Sequence, residues 1–293
     1  MRFVCNQVRT WWQPRPRDGS LGIRLRPAAP VGAPKLASII LAHEAGLRVD
    51  VPDTPGERLI VALDFDGRGP ALGLVDRLGD LVSFYKVGWQ LFIGTGFPFV
   101  RELTRRGKRV FLDVKMNDIE ATVEAAVGNM KAEVEFLTIH GTVATARAAR
   151  AGRGDRARPR LLMVTALSSL DSADLRAASA EPGFDIDDYA VRRARDALDA
   201  GCEGLIASGG SVGRIRSAFL ERDFLVVAPG IRPPGAGSDD QKRTLTPRQA
   251  ARDGADYLVV GRPVRNAPDP EASVVRIVDG IARGLAERAG AAG

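Results

Sequence analysis

From residue 58 onward, short segments rich in Val, Ile, Leu and Phe alternate with longer amphipathic or alanine-rich segments. This alternation is typical of repeated strand–helix units, because parallel strands need a long crossover, usually a helix, between them. Eight strands are predicted, at LIVALD (59–64), SFYKVG (83–88), RVFLDVK (109–115), EFLTIH (135–140), RLLMVTAL (160–167), EGLIAS (203–208), FLVVAPG (224–230) and DYLVVG (256–261).

Eight strand–helix units in about 235 residues match a (β/α)8 TIM barrel, whose usual length is about 250 residues. A doubly wound open sheet is the competing fold, but the first strand continues into ALDFDGRG and lacks the glycine fingerprint of that fold. The later cluster SGGSVGR is better explained as a loop that leads into a helix. We therefore predict a single barrel over residues 51–288.

Helices are predicted between the strands, and one of them carries its own start signal. Thr246 suits an N-cap position and Pro247 suits the first helical turn. A further helix is expected at 34–46, and the long connection 168–188 is expected to contain a short one. The other predicted helices are GPALGLVDRLG (69–79), FPFVRELTRRG (97–107), EATVEAAVGNMK (120–131), YAVRRARDALDAG (189–201) and TPRQAARDG (246–254).

The positive charge of the chain is concentrated in an N-terminal extension, residues 1–50. The extension holds eight Lys and Arg against three Asp and Glu, whereas the rest of the chain holds 34 Lys and Arg against 33 Asp and Glu. A barrel without excess positive charge gives no electrostatic argument for binding nucleic acid, so we expect none there, although binding by the extension stays open. Because Pro and Gly punctuate it, the extension is expected to be partly disordered.

The apolar runs of the chain are short. ASIILA, near residue 40, falls well below the roughly 18 to 20 residues of a membrane span, and no secretory signal is recognisable. We therefore expect a cytoplasmic protein with no membrane partner. Since His43 and His140 are the two histidines of the sequence, a histidine-rich metal site is excluded, whereas a hard cation held by carboxylates stays open.

Charged residues stand where the first three predicted strands end: Asp64, Lys86, Asp113, Lys115 and Asp118. The carboxyl ends of barrel strands surround one mouth, so we expect these side chains to collect there. Since side chains alternate along a strand, Asp113 and Lys115 should share one face with Phe111 and enter the barrel together.

Burying so many charges for stability alone would be unfavourable, because desolvation tends to cancel the Coulomb gain. A cap or a salt bridge could explain any one of them, but the set favours chemistry. A lysine flanked by carboxylates stays charged, which suits a proton donor or a fixed cation better than a Schiff-base amine.

The last two predicted strands end in APGIRP and VVGRPV. In barrels the loops after these two strands commonly bind phosphate. Gly230 and Gly261 allow close approach of the backbone, and Arg262 can add charge-assisted hydrogen bonds. Ordinary turn chemistry is the alternative, but the position after the final strands favours a phosphate site.

Together these segments resemble the orotidine 5'-phosphate decarboxylase family over about residues 57–285. The motifs that carry the resemblance are ALDF, YKVG, FLDVKMNDIEATV, LTIHG, MVTALSS, APGIRP, DDQKR and DYLVVGRP. The D-x-K-x-x-D element alone marks a wider suprafamily, whereas the full set in this order is specific. The resemblance implies a TIM-barrel enzyme that decarboxylates orotidine 5'-monophosphate to UMP in pyrimidine biosynthesis, with no cofactor and no metal.

The resemblance also implies roles for the charged residues. Lys115 would protonate C6 of the pyrimidine, and Asp113 would face the substrate carboxylate. Asp64 and Lys86 would bind ribose hydroxyls, with Lys86 also part of the charge network. Asp118 would be catalytic from the neighbouring subunit.

Substrate contacts are implied at further positions. Thr122 would reach into the neighbouring subunit's site together with Asp118, which implies a homodimer with shared active sites. The remaining contacts would be Ser168 at the pyrimidine, Pro229 beside it, and Gln241, Gly261, Arg262 and Arg232 at the 5'-phosphate. The loop PPGAGSDDQKR (233–243) has the composition of a lid.

Two other functions stay open at this point. Magnesium-dependent sugar-phosphate decarboxylases and aldolases share the D-x-K-x-x-D element, but they carry an acidic residue near the end of the second strand, where this chain has Lys86. A non-catalytic nucleotide-binding barrel is the other alternative. The motif departs from many relatives at Asn117 and Glu120, where they have His and Pro. His140 is interpreted as a structural residue.

Overall fold

The structure, a computed structural model, describes residues 50–130, 134–179, 183–234 and 242–291. The predicted N-terminal extension, except Asp50, lies outside the described residues. So do the helix predicted over 34–46 and residues 235–241 of the predicted lid loop.

Eight parallel strands close into a barrel in chain order, because the last strand pairs with the first as well as with the seventh. The strands are β1 (Leu59–Ala62), β2 (Phe84–Gly88), β3 (Arg109–Met116), β4 (Phe136–Ile139), β5 (Arg160–Val164), β6 (Gly204–Ile206), β7 (Leu225–Ala228) and β8 (Tyr257–Val260). All eight predicted strands and the (β/α)8 fold are confirmed.

Helices follow the strands around the barrel. They are α1 (Arg68–Leu78), α2 (Trp89–Arg105), α3 (Glu120–Asn129), α4 (Val143–Arg153), α5 (Ser172–Ser179), α6 (Ile186–Asp199), α7 (Ser211–Ala218), α8 (Pro247–Arg252), α9 (Arg262–Arg265) and α10 (Pro270–Ala291). Short 3-10 helices lie at Gly56–Arg58 and Gly79–Leu81. Within the described ranges, no helix has the length and apolar character needed to cross a membrane.

Helix boundaries follow local chemistry. The predicted start of α8 is confirmed, since the Thr246 side chain accepts a hydrogen bond from the backbone N–H of Gln249 and Pro247 is the first helical residue. The helix predicted over 97–107 begins earlier, at Trp89, and is interrupted at Gly96, whose φ of 58° is not helical. The prediction captured the part that follows this kink.

The inside and outside of the barrel have separate apolar cores. Phe84, Phe111, Phe136 and Tyr257 fill the interior, with ring centroids 5.0 Å apart for Phe84 and Phe136 and 5.1 Å apart for Phe136 and Tyr257. The alternate β3 residues Leu112 and Val114 pack outward into the core shared with the helices. The packed aromatic layer closes the lower barrel, so space for a ligand remains at the carboxyl ends of the strands.

Close packing of α3 against α4 depends on Gly152. A Cβ atom at this position would lie 2.1 Å from the backbone oxygen of Glu124. We expect Gly152→Ala to lower the free energy of unfolding by about 1–3 kcal/mol, because the helices must separate. Gly73→Ala is the control: Gly73 lies within α1 with nothing within 4 Å of the added atom, so stability should hold or rise. Urea unfolding measures both, and an unchanged Gly152→Ala protein would contradict this account of the packing.

Candidate active site

A cavity of about 210 Å³ opens at the carboxyl ends of the strands. Its floor is formed by interior side chains such as Phe111 and Val164. Polar and glycine residues from six of the strand ends surround it: Asp64, Lys86, Asp113, Lys115, Ser168, Gly230, Arg232, Gly261 and Arg262. Pro229 also lines it. The structure thus brings most of the predicted site residues to one place.

Four charged side chains form a chain of alternating sign across β1, β2 and β3. The Lys86 Nζ donates to Asp64 Oδ1 at 3.0 Å and lies 3.5 Å from Asp113 Oδ2. The other oxygen of Asp113, Oδ1, accepts a hydrogen bond from Lys115 Nζ at 3.0 Å. Each inner charge therefore has a partner of opposite sign on both sides.

The two inner members of this chain are the more buried ones. The side chains of Lys86 and Asp113 are 12% and 15% exposed, whereas those of Asp64 and Lys115 are 39% and 37% exposed. Burial disfavours the charged form of both inner groups. The opposing charges outweigh burial, so the pKa of Lys86 is raised by Asp113 and Asp64, and the pKa of Asp113 is lowered by Lys86 and Lys115.

Lys115 departs from regular strand geometry. Its φ of 47° is the one positive value found at a non-glycine residue in the described part of the chain. The pairing of β3 with β4 shifts here, since Leu112 pairs with Leu137 but Met116 pairs with Ile139, which leaves extra residues on β3. A left-handed conformation costs a lysine about 1–2 kcal/mol, so surrounding contacts must hold it. Such strain is often found at functional sites.

Two hydroxyl hydrogen bonds support this irregular segment. The backbone N–H of Lys115 donates to Thr138 Oγ1 at 2.8 Å, and Thr138 Oγ1 donates to Asp113 Oδ1 at 3.0 Å. No role is predicted for Thr138 from the sequence. The signal that could have revealed it is a hydroxyl residue in the otherwise apolar strand FLTI, at a position that alternates with the outward Leu137.

Gly88 was also missed, although it belongs to the YKVG motif. A Cβ atom there would lie 2.9 Å from Lys86 Nζ and 3.5 Å from Asp64 Oδ1. The absence of a side chain at Gly88 therefore leaves the space in which the Lys86 ammonium meets its carboxylates.

The opposite side of the cavity is formed by the loops after β5, β7 and β8. Gly230 has a φ of 73°, a left-handed conformation that glycine adopts without strain. Just beyond it, the Arg232 N–H donates to Leu245 O at 2.9 Å, so the segment after β7 lies beside the segment before α8. Nearby, the Arg243 N–H donates to Ser168 O at 3.3 Å, which joins the β5 loop to the β7 loop.

Two of the predicted site residues that the structure describes do not line the cavity of their own chain. Asp118 and Thr122 are exposed, and Asp118 Oδ1 accepts the Ile119 N–H at 2.7 Å. Gln241 lies outside the described residues. His140 is half-buried at the end of β4, and burial lowers the pKa of its imidazole, with smaller contributions from Arg193 and Lys115.

Residues 50–130, 134–179, 183–234 and 242–291 contain no group of three or more His, Cys, Asp or Glu side chains arranged to hold a metal ion. The Lys86 ammonium lies between the carboxylate of Asp64, just after β1, and that of Asp113 in β3.

Fold and site together define a (β/α)8-barrel enzyme. One side of its cavity carries the chain of alternating charges, and the other side carries arginine and glycine residues. A model of the orotidine 5'-phosphate decarboxylase / HUMPS family matches residues 57–277. The chain belongs to this family.

Relatives from two bacteria agree with this assignment. An orotidine 5'-phosphate decarboxylase of Ruegeria pomeroyi is 46% identical over 224 residues, which are 76% of this chain and 92% of the relative. One from Cereibacter sphaeroides is 47% identical over 223 residues, or 75% of this chain and 95% of the relative. The crystal structure of orotidine 5'-phosphate decarboxylase from Lactobacillus acidophilus has a TM-score of 0.65 at 32% identity, covering 79% of this chain and 99% of that one.

The charge chain makes the stability of the protein depend on pH. The lowered pKa of Asp113 means that the folded state holds this carboxylate ionised more readily than the unfolded state, whose Asp pKa is about 4. Its contribution is present above that value and is lost as pH falls through the lowered folded-state pKa. We therefore expect the difference in unfolding free energy between wild type and Asp113→Asn to shrink as the solution is acidified below about pH 4.

Chemical unfolding at a series of pH values measures this difference. The control is Asp80→Asn, which removes a carboxylate whose side chain is fully in solvent. A wild-type advantage over Asp113→Asn that grows toward acid pH would contradict the assigned charge pairing.

Proposed function

We propose that the protein decarboxylates orotidine 5'-monophosphate to UMP and CO2 in pyrimidine biosynthesis. The observation that carries the proposal is the alternating chain of Asp64, Lys86, Asp113 and Lys115, which shares one cavity with Gly261 and Arg262. The names of the relatives support the same reaction.

Loss of CO2 from C6 of a pyrimidine leaves an electron pair with no carbonyl positioned to delocalise it. A fixed ammonium beside that carbon stabilises the developing charge, and then supplies the proton that replaces CO2. We assign this role to Lys115. Its Nζ is already oriented by Asp113, so little reorganisation is needed during the reaction, which is the condition under which electrostatic stabilisation is large.

Asp113 and Lys86 complete the charged side of the site. We place the substrate carboxylate beside Asp113, where two negative charges approach each other until CO2 leaves. Lys86 keeps Asp113 ionised for this role, as the lowered pKa of Asp113 supports. Asp64 is the most exposed of the four charged side chains and, together with Lys86, is assigned to the ribose hydroxyls.

The other side of the cavity is assigned to the 5'-phosphate and the base. Arg262 and Gly261 would bind the phosphate just after β8, where the glycine allows close approach of the backbone and the arginine adds charge-assisted hydrogen bonds. Arg232 is a further phosphate candidate, and Gln241 is proposed for the same role. Binding of this remote group supplies free energy that aligns the base with Lys115. Ser168 and Pro229 are proposed to contact the pyrimidine.

The magnesium-dependent sugar-phosphate reaction is less well supported. In those relatives an acidic residue stands where this chain has Lys86. Here the Lys86 ammonium lies 3.0 Å from one carboxylate and 3.5 Å from the next, so the positive charge between Asp64 and Asp113 is supplied by a side chain.

We further propose that the enzyme is a homodimer in which Asp118 and Thr122 complete the neighbouring subunit's site. Both residues are exposed and lie outside the cavity of their own chain. Apolar side chains at the same end of the barrel are exposed too, Trp89 by 51%, Ile93 by 77% and Ile119 by 67%. Exposed apolar side chains grouped in this way suit a subunit interface.

The substrate class and location complete the proposal. The partner is a small nucleotide, and a cytoplasmic location is proposed because a charged nucleoside monophosphate is made and consumed inside the cell.

Substitution of Lys115 tests its proposed role as the proton donor. We expect the wild-type protein to convert orotidine 5'-monophosphate to UMP, followed by the loss of substrate absorbance, and Lys115→Ala to lower kcat by about 1,000-fold or more. Lys108→Ala is the control, since Lys108 precedes β3 at the opposite end of the barrel and donates to Gly79 O and Val82 O. It should keep kcat near wild type. Wild-type protein without turnover would refute the proposed function.

Mixing of two inactive variants tests whether Asp118 serves the neighbouring subunit's site. Lys115→Ala and Asp118→Ala should each be nearly inactive alone. Mixing them under conditions of subunit exchange should restore activity to about a quarter of wild type, because half of the dimers then hold one intact site. If both residues act within one chain, mixing would restore nothing, and the shared-site assignment would be wrong.

A further inference from the structure

Thr138 is a hydroxyl residue inside an otherwise apolar strand, β4. It is 1% exposed, and its neighbours Leu137 and Ile139 pack outward into the core under the helices. Its side chain therefore points into the barrel. The roles assigned so far to the charged residues, to the base and to the phosphate leave this hydroxyl without a function.

The hydroxyl of Thr138 bonds to both charged residues of β3. It accepts the backbone N–H of Lys115 at 2.8 Å and donates to Asp113 Oδ1 at 3.0 Å. Asp113 Oδ1 is also the oxygen that accepts from Lys115 Nζ at 3.0 Å. A closed ring of hydrogen bonds thus links the backbone of Lys115, the hydroxyl of Thr138, the carboxylate of Asp113 and the ammonium of Lys115.

The direction of these bonds follows from the chemistry of the groups. A hydroxyl has one proton to donate and two lone pairs to accept with. The ionised Asp113 can only accept, so the Thr138 proton goes to it and a lone pair remains for the Lys115 N–H. A side chain without both capacities cannot replace these contacts.

The backbone of Lys115 needs such a contact. Its φ of 47° lies in the left-handed region, and the pairing of β3 with β4 shifts between Leu112 and Met116. In this irregular segment the hydroxyl of Thr138 in β4 accepts a hydrogen bond from the Lys115 N–H. Loss of that acceptor would leave a part-buried N–H unsatisfied and release the conformation that directs the lysine side chain.

We propose that Thr138 is a positioning residue of the decarboxylation, which holds the Lys115 backbone and the Asp113 carboxylate in their reactive arrangement. This inference rests on the proposed function. Thr138 does not line the cavity, so it acts through the two charged residues and not on the substrate.

Thr138→Val tests the proposal, because valine keeps the shape and removes the hydroxyl. We expect kcat for orotidine 5'-monophosphate to fall by about 10- to 100-fold with KM changed by less than about threefold, since misplacement of a reacting group by a fraction of an ångström has effects of this size. Thr138→Ser keeps the hydroxyl and should restore kcat to within about threefold of wild type.

Thr165→Val is the matched control. Thr165 is 3% exposed, its Oγ1 donates to Ile206 O at 2.8 Å, and it does not line the cavity. The loss of this buried hydroxyl should lower the thermal midpoint as in Thr138→Val, while kcat stays within about twofold of wild type. If Thr138→Val does not fold, Thr138→Cys replaces it, because a thiol is only a weak donor and acceptor, and the same fall in kcat is expected.

Each outcome decides the matter. A folded Thr138→Val or Thr138→Cys with wild-type kcat, a Thr138→Ser protein that is as slow as they are, or an equal fall of kcat in Thr165→Val would overturn the positioning role. Wild-type protein that does not turn over orotidine 5'-monophosphate would instead refute the proposed function, so the two failures are distinguishable.

Discussion

The ion contacts of Lys86 are the interaction on which the rest of the site depends. Its ammonium lies between Asp64 and Asp113, and the second oxygen of Asp113 continues the chain to Lys115. Charges that are mostly removed from water are costly unless each has partners of opposite sign. The alternating order meets this condition, and removal of the inner lysine would leave two carboxylates facing each other.

The barrel is what makes this order possible. Strands β1, β2 and β3 are adjacent and parallel. The one or two charged side chains near the carboxyl end of each strand therefore lie at the same edge of the cavity. Below them the aromatic layer of Phe84, Phe111, Phe136 and Tyr257 excludes water from the barrel interior. The left-handed backbone of Lys115 and the absence of a side chain at Gly88 help to set the positions of the Lys115 and Lys86 ammonium groups.

The fold could be predicted from the sequence because the period of apolar segments is strong and repeats eight times. The meeting of Asp113 and Lys115 could be predicted as well, from their position at the end of one strand. The backbone geometry that brings these two side chains together could not be predicted. Regular alternation along the strand was assumed, whereas the structure shows a shift in the pairing of β3 with β4 and a left-handed Lys115. The kink at Gly96 was not predicted either, because the sequence around a glycine does not specify its φ. Roles that depend on a second subunit, as for Asp118, stay predictions because they cannot be derived from a single chain.

The most direct test of the central claim is a crystal structure of the enzyme with bound UMP. The account predicts that C6 of the base lies about 3 to 3.5 Å from Lys115 Nζ, a near-attack separation, with the phosphate against Gly261 and Arg262. It also predicts that the ion contacts from Asp64 through Lys115 persist. A base whose C6 faces away from Lys115, or a phosphate bound elsewhere in the barrel, would contradict it.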